Sequence, residues 1–362
     1  MSHPSALNEK ASAAGTLRPA STRQDLELPY PYLLFLGTAA DAAFAKTALG
    51  LRDWAPEKCA GEFACEGAAT SIGLRRLRPS EARAAGARAV VIGVANIGGA
   101  VSSSWIPPLV ACLEAGMDIV SGMHRRLEEN PELKAAAERH GRRLINVRIP
   151  PSFIPIADGR KRTGKRLLTV GTDCALGKKY TALALTRAFK AAGLAADFRA
   201  TGQTGIMIAG SGIPIDAVVA DFVAGAAEML SPDAPAEHWD VIEGQGSIFH
   251  PSYAGVSLGL LHGSQADVIV LCHQVGRNRI LGLENYATPS LSEALEVTLA
   301  LARRTNPRVR CGGISLNTMT LNSEQADSVM AEYASTLQLP VADPVRQGPQ
   351  FDRLVAACLN GP

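Results

Sequence analysis

No strong charge of either sign marks this chain of 362 residues: 36 Lys and Arg stand against 34 Asp and Glu, for a net charge of +2. A near-neutral protein has no bulk field to draw it to nucleic acid or to an anionic membrane, so neither partner is expected. No apolar run approaches the roughly 18 residues that span a bilayer. The N-terminus lacks the apolar core of a signal peptide. The seven cysteines form no CxxC pair and keep no regular spacing. Cys112, Cys272 and Cys311 lie in apolar runs, where a free thiol serves as a small hydrophobe. That usage fits a reducing compartment, and a cytoplasmic location is expected. There is no internal repeat and no low-complexity tract. The dinucleotide fingerprint GxGxxG is also missing, which argues against a nicotinamide site in the first half. What remains is an ordinary globular composition, 47% apolar, at a length that suggests about two domains.

Residues 167–192 organise the rest. They read LLTVGTDCALGKKYTALALTRAFKAA: an apolar strand over 167–170, a glycine-bounded loop over 171–178, and a helical period over 180–192 closed by Gly193. Strand, glycine loop and helix are the context of a phosphate-binding loop. Its backbone N–H groups point at an anion, and the helix N-terminus adds partial positive charge. Lys178 adds a full one. The loop departs from the common pattern twice. Five residues separate Gly171 from Gly177, and Lys179 stands where Ser or Thr normally binds Mg²⁺. The next hydroxyl is Thr181. Such a loop suits a cofactor whose phosphates are a handle better than it suits metal-dependent phosphoryl transfer.

The remaining chain alternates strands and helices, which predicts parallel α/β sheets. Residues 1–28 read as a disordered arm. Strands are expected over 33–36, 89–95, 117–120 and 144–149, and helices over 106–115 and 127–140. Prolines 150, 151 and 155 and the run DGRKRTGKR mark a boundary, with a linker over 151–166 whose basic residues are read as solvated. The domains are thus 29–150 and 167–362. In the second, strands are expected over 196–198, 241–243, 268–272, 309–316 and 340–342. Helices are expected over 253–261, 291–304 and 323–337, two of them with capping boxes, Ser290 with Glu293 and Asn322 with Gln325.

Ligands in open α/β sheets gather outside the carboxyl ends of the strands, so the residues there are the site candidates. After 198 come Arg199, Thr201, Gln203 and Thr204, read either as donors to a ligand or as a polar turn. After 242 comes EGQGSIFHP, where Glu243 and His250 are placed to hold a metal or take a proton. After 271 come His273, Arg277 and Arg279, either a carboxylate clamp or partners of structural acids. Asn317 either pairs with a base edge or caps the next helix. His124, ending SGMH, is read as structural.

GTDCALGK, TGQTG, EGQGSIFHP and SLNT, in this order, resemble a two-domain P-loop family long described as of unknown function, whose members include bacterial D-glutamate N-acetyltransferases. DAAFAKTALGL, SGMHRRLEE and NVRIPP resemble its N-terminal domain, with Asn146 standing where the family usually has an acidic residue. The resemblance covers about 33–356. It implies a Rossmann-like parallel α/β domain followed by a P-loop NTPase-like α/β domain. It also implies an acetyl-CoA-dependent N-acetyltransferase acting on an acidic amino acid, with D-glutamate as the small-molecule substrate, as a homo-oligomer. Gly171, Thr172, Asp173, Cys174, Ala175, Leu176, Gly177, Lys178, Lys179, Tyr180, Thr181 and Asn317 are then candidates to hold coenzyme A. Arg199, Thr201, Gln203, Thr204, His273, Arg277 and Arg279 would line the amino-acid site. Glu243 or His250 would be the base, and no metal site is assigned. A more distant resemblance, to dethiobiotin synthetase, implies the alternative of an ATP- and Mg-dependent ligase or kinase, with Asp173 and Glu243 on the metal. A non-catalytic nucleotide-binding regulator is the third reading.

Overall fold

A computed structural model describes residues 27–41, 44–94, 99 and 101–360. Most of the expected N-terminal arm, and part of the loop after the 89–95 strand, lie outside them. The N-terminal unit runs β1 (Tyr32–Phe35), α1 (Lys46–Trp54), β2 (Cys59–Phe63), α2 (Pro79–Ala84), β3 (Ala89–Ile92), α3 (Ile106–Glu114), β4 (Asp118–Ser121), α4 (Pro131–His140) and β5 (Leu144–Asn146). Its five strands pair in parallel in the order β2-β1-β3-β4-β5. β1, β3 and β4 are buried along their whole length, the mark of a sheet covered on both faces. The helix expected from residue 127 begins at Pro131. Asn130 caps it by accepting from Leu133 N, and Pro131 fills a position that needs no donor.

The second unit runs β6 (Lys165–Gly171), α5 (Lys178–Ala191), β7 (Ala196–Arg199), α6 (Gln203–Ala209), α7 (Val223–Leu230), β8 (Trp239–Ile242), α8 (Ala254–Ser264), β9 (Val268–Gln274), the hairpin β10 (Arg279–Ile280) and β11 (Leu283–Ala287), α9 (Leu291–Ala302), β12 (Arg310–Asn317), α10 (Ser323–Leu337), β13 (Val341–Ala342) and α11 (Pro349–Leu359). Six parallel strands lie in the order β13-β12-β9-β6-β8-β7. β6 is central, so the loop that leaves it opens where the chain turns to opposite sides of the sheet, the usual ligand crevice. The Asn322–Gln325 capping box is complete in both directions, whereas Ser290 receives Glu293 N alone.

The basic run leading into β6 is solvated only in part: Arg160 is exposed, but two of its arginines are not. Arg162 and Arg166 are 5% and 1% exposed. Arg166 donates to Ser231 Oγ and to the carbonyls of Arg162, Thr163, Gly164, Ser231 and Pro232. A guanidinium carries enough donors to be buried against carbonyl oxygens, and here it pins the start of β6.

The two units share one apolar cluster. Leu183 of α5 and Ile206, Met207 and Ile208 of α6 pack into the core of the N-terminal sheet. Trp54 of α1 meets Tyr180 edge to face, and Arg187 lies over the Trp54 ring. All seven cysteines are free thiols. Among the described residues no helix is long and apolar enough to cross a membrane.

Candidate active site

The loop after β6 has the geometry of an anion cradle. Ala175 (φ 55°) and Gly177 (φ 112°) take left-handed backbone to turn the chain into α5. The first turn of α5 carries no acidic residue and receives no side-chain cap, so its N–H groups remain for a ligand. Lys178 is 6% exposed, and its Nζ donates to Asp173 O at 2.8 Å, lying across the loop. Burial lowers its pKa. Gly244, just after β8, passes so close that a Cβ there would collide with Thr169 O.

Two loop residues are tied to the end of β9 and the segment after it. Thr172 Oγ1 meets His273 Nδ1 at 2.8 Å. Asp173 is fully buried and accepts from Cys174 N (2.6 Å), Arg277 Nη1 (2.9 Å) and Leu281 N (2.8 Å). Arg277 also donates to Gln274 Oε1. Ligand atoms of Asp173, Cys174 and His250 lie within 4.8 Å of one another. His250 is 3% exposed, stacks on Tyr253, and its Nδ1 accepts from Ser252 N at 3.1 Å. An N–H aimed at Nδ1 leaves the neutral ring's proton on Nε2, so His250 is a donor beside the loop.

Glu243 stands on the other flank, 4% exposed. Its Oε2 accepts from Thr201 N and Gly202 N, both at 3.0 Å, and so caps α6. Burial raises its pKa; Lys179 and the two amides pull against that. Thr201 Oγ1 donates to Glu243 O and receives Gln245 Nε2.

The other sequence candidates divide. Lys179 and Tyr180 leave the loop for the N-terminal unit, where Tyr180 Oη donates to Asp53 Oδ2 at 2.6 Å. Thr181 is 1% exposed and bonded to Gly177 O and Ser315 Oγ, so its hydroxyl faces the sheet and does not replace the missing metal ligand. Arg199 is held by Asp240 (2.7 Å) and Asp197 (3.4 Å). Its charge crosses the Asp197–His238–Asp240 cluster where a metal would otherwise sit. Arg277, open between a carboxylate clamp and a structural acid, pairs with Asp173, and Arg199, read as a ligand donor or part of a polar turn, pairs with Asp240. Arg279 is exposed on the hairpin. Asn317 Oδ1 accepts from Met319 N in the turn after β12, and the next helix is capped by Asn322 instead. Gln203 and Thr204 begin α6 and face the N-terminal unit. Thr204 Oγ1 lies 3.1 Å from Thr47 Oγ1, and Gly122 leaves room for Gln203, whose amide a Cβ there would strike.

Sequence reasoning missed the N-terminal wall of this site: Thr47, Gly50, Gly122 and Arg148. Arg148 bridges the units, pairing with Asp216 at 3.0 Å and contacting His124, whose pKa burial and the Arg148 charge lower. A glycine inside α1 was the one available signal, since helix interiors select against it.

These features define a two-domain P-loop protein whose cradle is walled by a Rossmann-like partner. The comparisons agree. Residues 57–150 match the model of the Domain of unknown function (DUF1611_N) Rossmann-like domain, and 155–355 that of the Domain of unknown function (DUF1611_C) P-loop domain. A crystal structure of a DUF1611 family protein from Anabaena variabilis superposes with a TM-score of 0.81 at 31% identity, over 91% of this chain and 98% of that one. The chain belongs to the DUF1611 family. Two relatives are named D-glutamate N-acetyltransferase: one from Tritonibacter scottomollicae, 50% identical over 88% of this chain and 96% of its own, and one from Pseudoalteromonas sp, 46% identical over 91% and 99%. At that likeness the protein is an N-acetyltransferase.

Proposed function

We propose that the protein transfers the acetyl group of acetyl-CoA to the amino group of D-glutamate, with the P-loop gripping the phosphates of coenzyme A. The observation that carries this reading is an anion cradle in which the sequence position of the metal-binding hydroxyl is held by Lys179, whose side chain turns away toward the N-terminal unit. The two relatives named for that reaction support the substrate. The residues present fit the cofactor. Lys178 is a buried cation satisfied by a single carbonyl, beside a helix start with uncapped N–H groups. Bound acetyl-CoA supplies the activated acetyl thioester. Glu243 is the group that takes the amine proton, and His250 donates toward the cradle. A free-thiol release assay with acetyl-CoA across a panel of D- and L-amino acids tests the whole reading. Turnover restricted to D-glutamate is expected; none with any amino acid would refute it.

Two results should follow. Lys178→Ala should weaken acetyl-CoA binding roughly ten- to a hundredfold in a folded protein, the cost of one charge-assisted contact. An unchanged Kd in that variant removes the cradle assignment. Activity should also survive EDTA, because Lys179 holds the metal-hydroxyl position and Thr181 is tied to Ser315. Loss with EDTA and recovery with Mg²⁺ would move the assignment to the ATP-dependent ligase or kinase.

A further inference from the structure

The proposed substrate carries two carboxylates, and the arginines that sequence placed for them are engaged elsewhere. Arg277 is paired with Asp173 and Arg199 with Asp240, while Arg279 lies exposed. Lys179 differs. Its side chain is partly buried, yet its Nζ has no hydrogen-bond or ion-pair partner among the described residues. It lies against the N-terminal unit: a Cβ at Gly50 would sit 2.7 Å from Lys179 Nζ and 2.7 Å from Thr204 Cγ2. Glycine within a helix costs about 1 kcal/mol relative to alanine, and here its absence of a side chain opens the space the ammonium occupies. The Thr47 and Thr204 hydroxyls meet beside it, and the Glu243 carboxylate is near enough to act on its charge. A cation withdrawn from water without a directly bonded anion is left short of partners, and a ligand carboxylate would supply one.

We infer that Lys179 anchors a carboxylate of the amino-acid substrate at the seam between the two domains, next to Glu243, and so sets the preference for an acidic substrate. This rests on D-glutamate as the substrate, and it makes the N-terminal domain part of the binding site through Gly50 and Thr47. The groups facing Lys179 are Glu243 after β8, Asp53 and Lys46 of α1, and the neighbouring Tyr180 ring. Burial lowers the Lys179 pKa to about 8, with Lys46 adding to that and Glu243 and Asp53 opposing it. The carboxylate needs the protonated form, so kcat/KM for D-glutamate should fall as pH rises through the Lys179 pKa. For stability the sign is opposite. A lysine lowered in the fold is penalised below its folded pKa of about 8, and the penalty is gone above its unfolded value of 10.5.

The test is Lys179→Met, with Gly50→Ala as a variant that crowds the ammonium without removing it. Lys179→Met should raise KM for D-glutamate roughly ten- to a hundredfold and leave KM for acetyl-CoA unchanged. Gly50→Ala should move the same constant in the same direction by less. Lys179→Met should melt no lower than wild type at pH 7, and D-glutamate alone should raise the melting temperature of wild type but not of the variant. An unchanged KM for D-glutamate in an active variant sinks this inference alone. So does a fall in kcat at constant KM, which would make Lys179 part of proton transfer. A wild type stabilised by D-glutamate but inert to acetyl-CoA sinks the acetyl-transfer reading and keeps the anchor, provided Lys179→Met loses the stabilisation. Neither binding nor turnover sinks both.

Discussion

Replacing Glu243 by Gln should lower kcat by about 10²- to 10⁴-fold while acetyl-CoA still binds. The amino group of an amino acid is mostly protonated at neutral pH, so the reaction needs a group to receive that proton. Glu243 has the required burial, which holds its pKa above the ordinary carboxylate range against the pull of Lys179 and of two backbone amides. A carboxylate so raised works only when ionised, so kcat should rise with pH through a limb above the range of an exposed glutamate. Gln keeps a carbonyl oxygen for Thr201 N and Gly202 N, so the cap on α6 survives and the loss reports the charge. His250 is the weaker base because Ser252 N already occupies its Nδ1. Its replacement by Ala should keep the rising limb. The measurement is kcat against pH for both variants. A Glu243→Gln enzyme within threefold of wild type, with the limb intact, returns the role to His250 or His273.

Arg277→Ala should cost about 3–5 kcal/mol of stability, the range for stripping one partner from a buried ion pair. Asp173 is fully buried and Arg277 partly so, and the variant would leave the carboxylate with the Cys174 and Leu281 amides alone. Because Asp173 belongs to the cradle, affinity for acetyl-CoA should fall with stability. Adding Asp173→Asn removes the stranded charge and should restore part of the loss. Urea melts of the single and double variants provide the check. If stability holds and only KM for glutamate climbs, Arg277 leaves Asp173 to clamp the substrate.

Much of this architecture could be read directly from the chain. The helix of 323–337 and the strands at the centres of both sheets were legible because parallel strands covered on both faces are continuous apolar runs. β2 was not, because its Glu62 is 1% exposed and satisfied by Ile72 N and Leu74 N, which breaks the apolar pattern from within. α6 was not expected, since its N-cap is Gly202, which has no side chain, and the amides there are met by Glu243, some forty residues downstream. In the site, the glycines and Lys178 declared themselves by spacing. The partners of Arg199 and Arg277 did not: Asp240 and Asp173 are 41 and 104 positions away, and only the fold brings them together. Lys179 was visible as a departure from the P-loop pattern, but its destination on α1 was not.

The close fit of Gly50 to Lys179 and of Gly122 to Gln203 has a consequence for recombining such proteins. Each pair straddles the two domains, with a residue lacking a side chain on one side and a long polar side chain on the other. A chimera joining this P-loop half to a foreign first half would keep its sheet topology, and a larger residue in place of either glycine would push the facing Lys179 or Gln203 side chain aside. Compatible parents are therefore chosen by four positions, 50 with 179 and 122 with 203, before overall similarity is considered. Where those four match, the halves are expected to be interchangeable modules; where they differ, the crossover must carry its partner residue along.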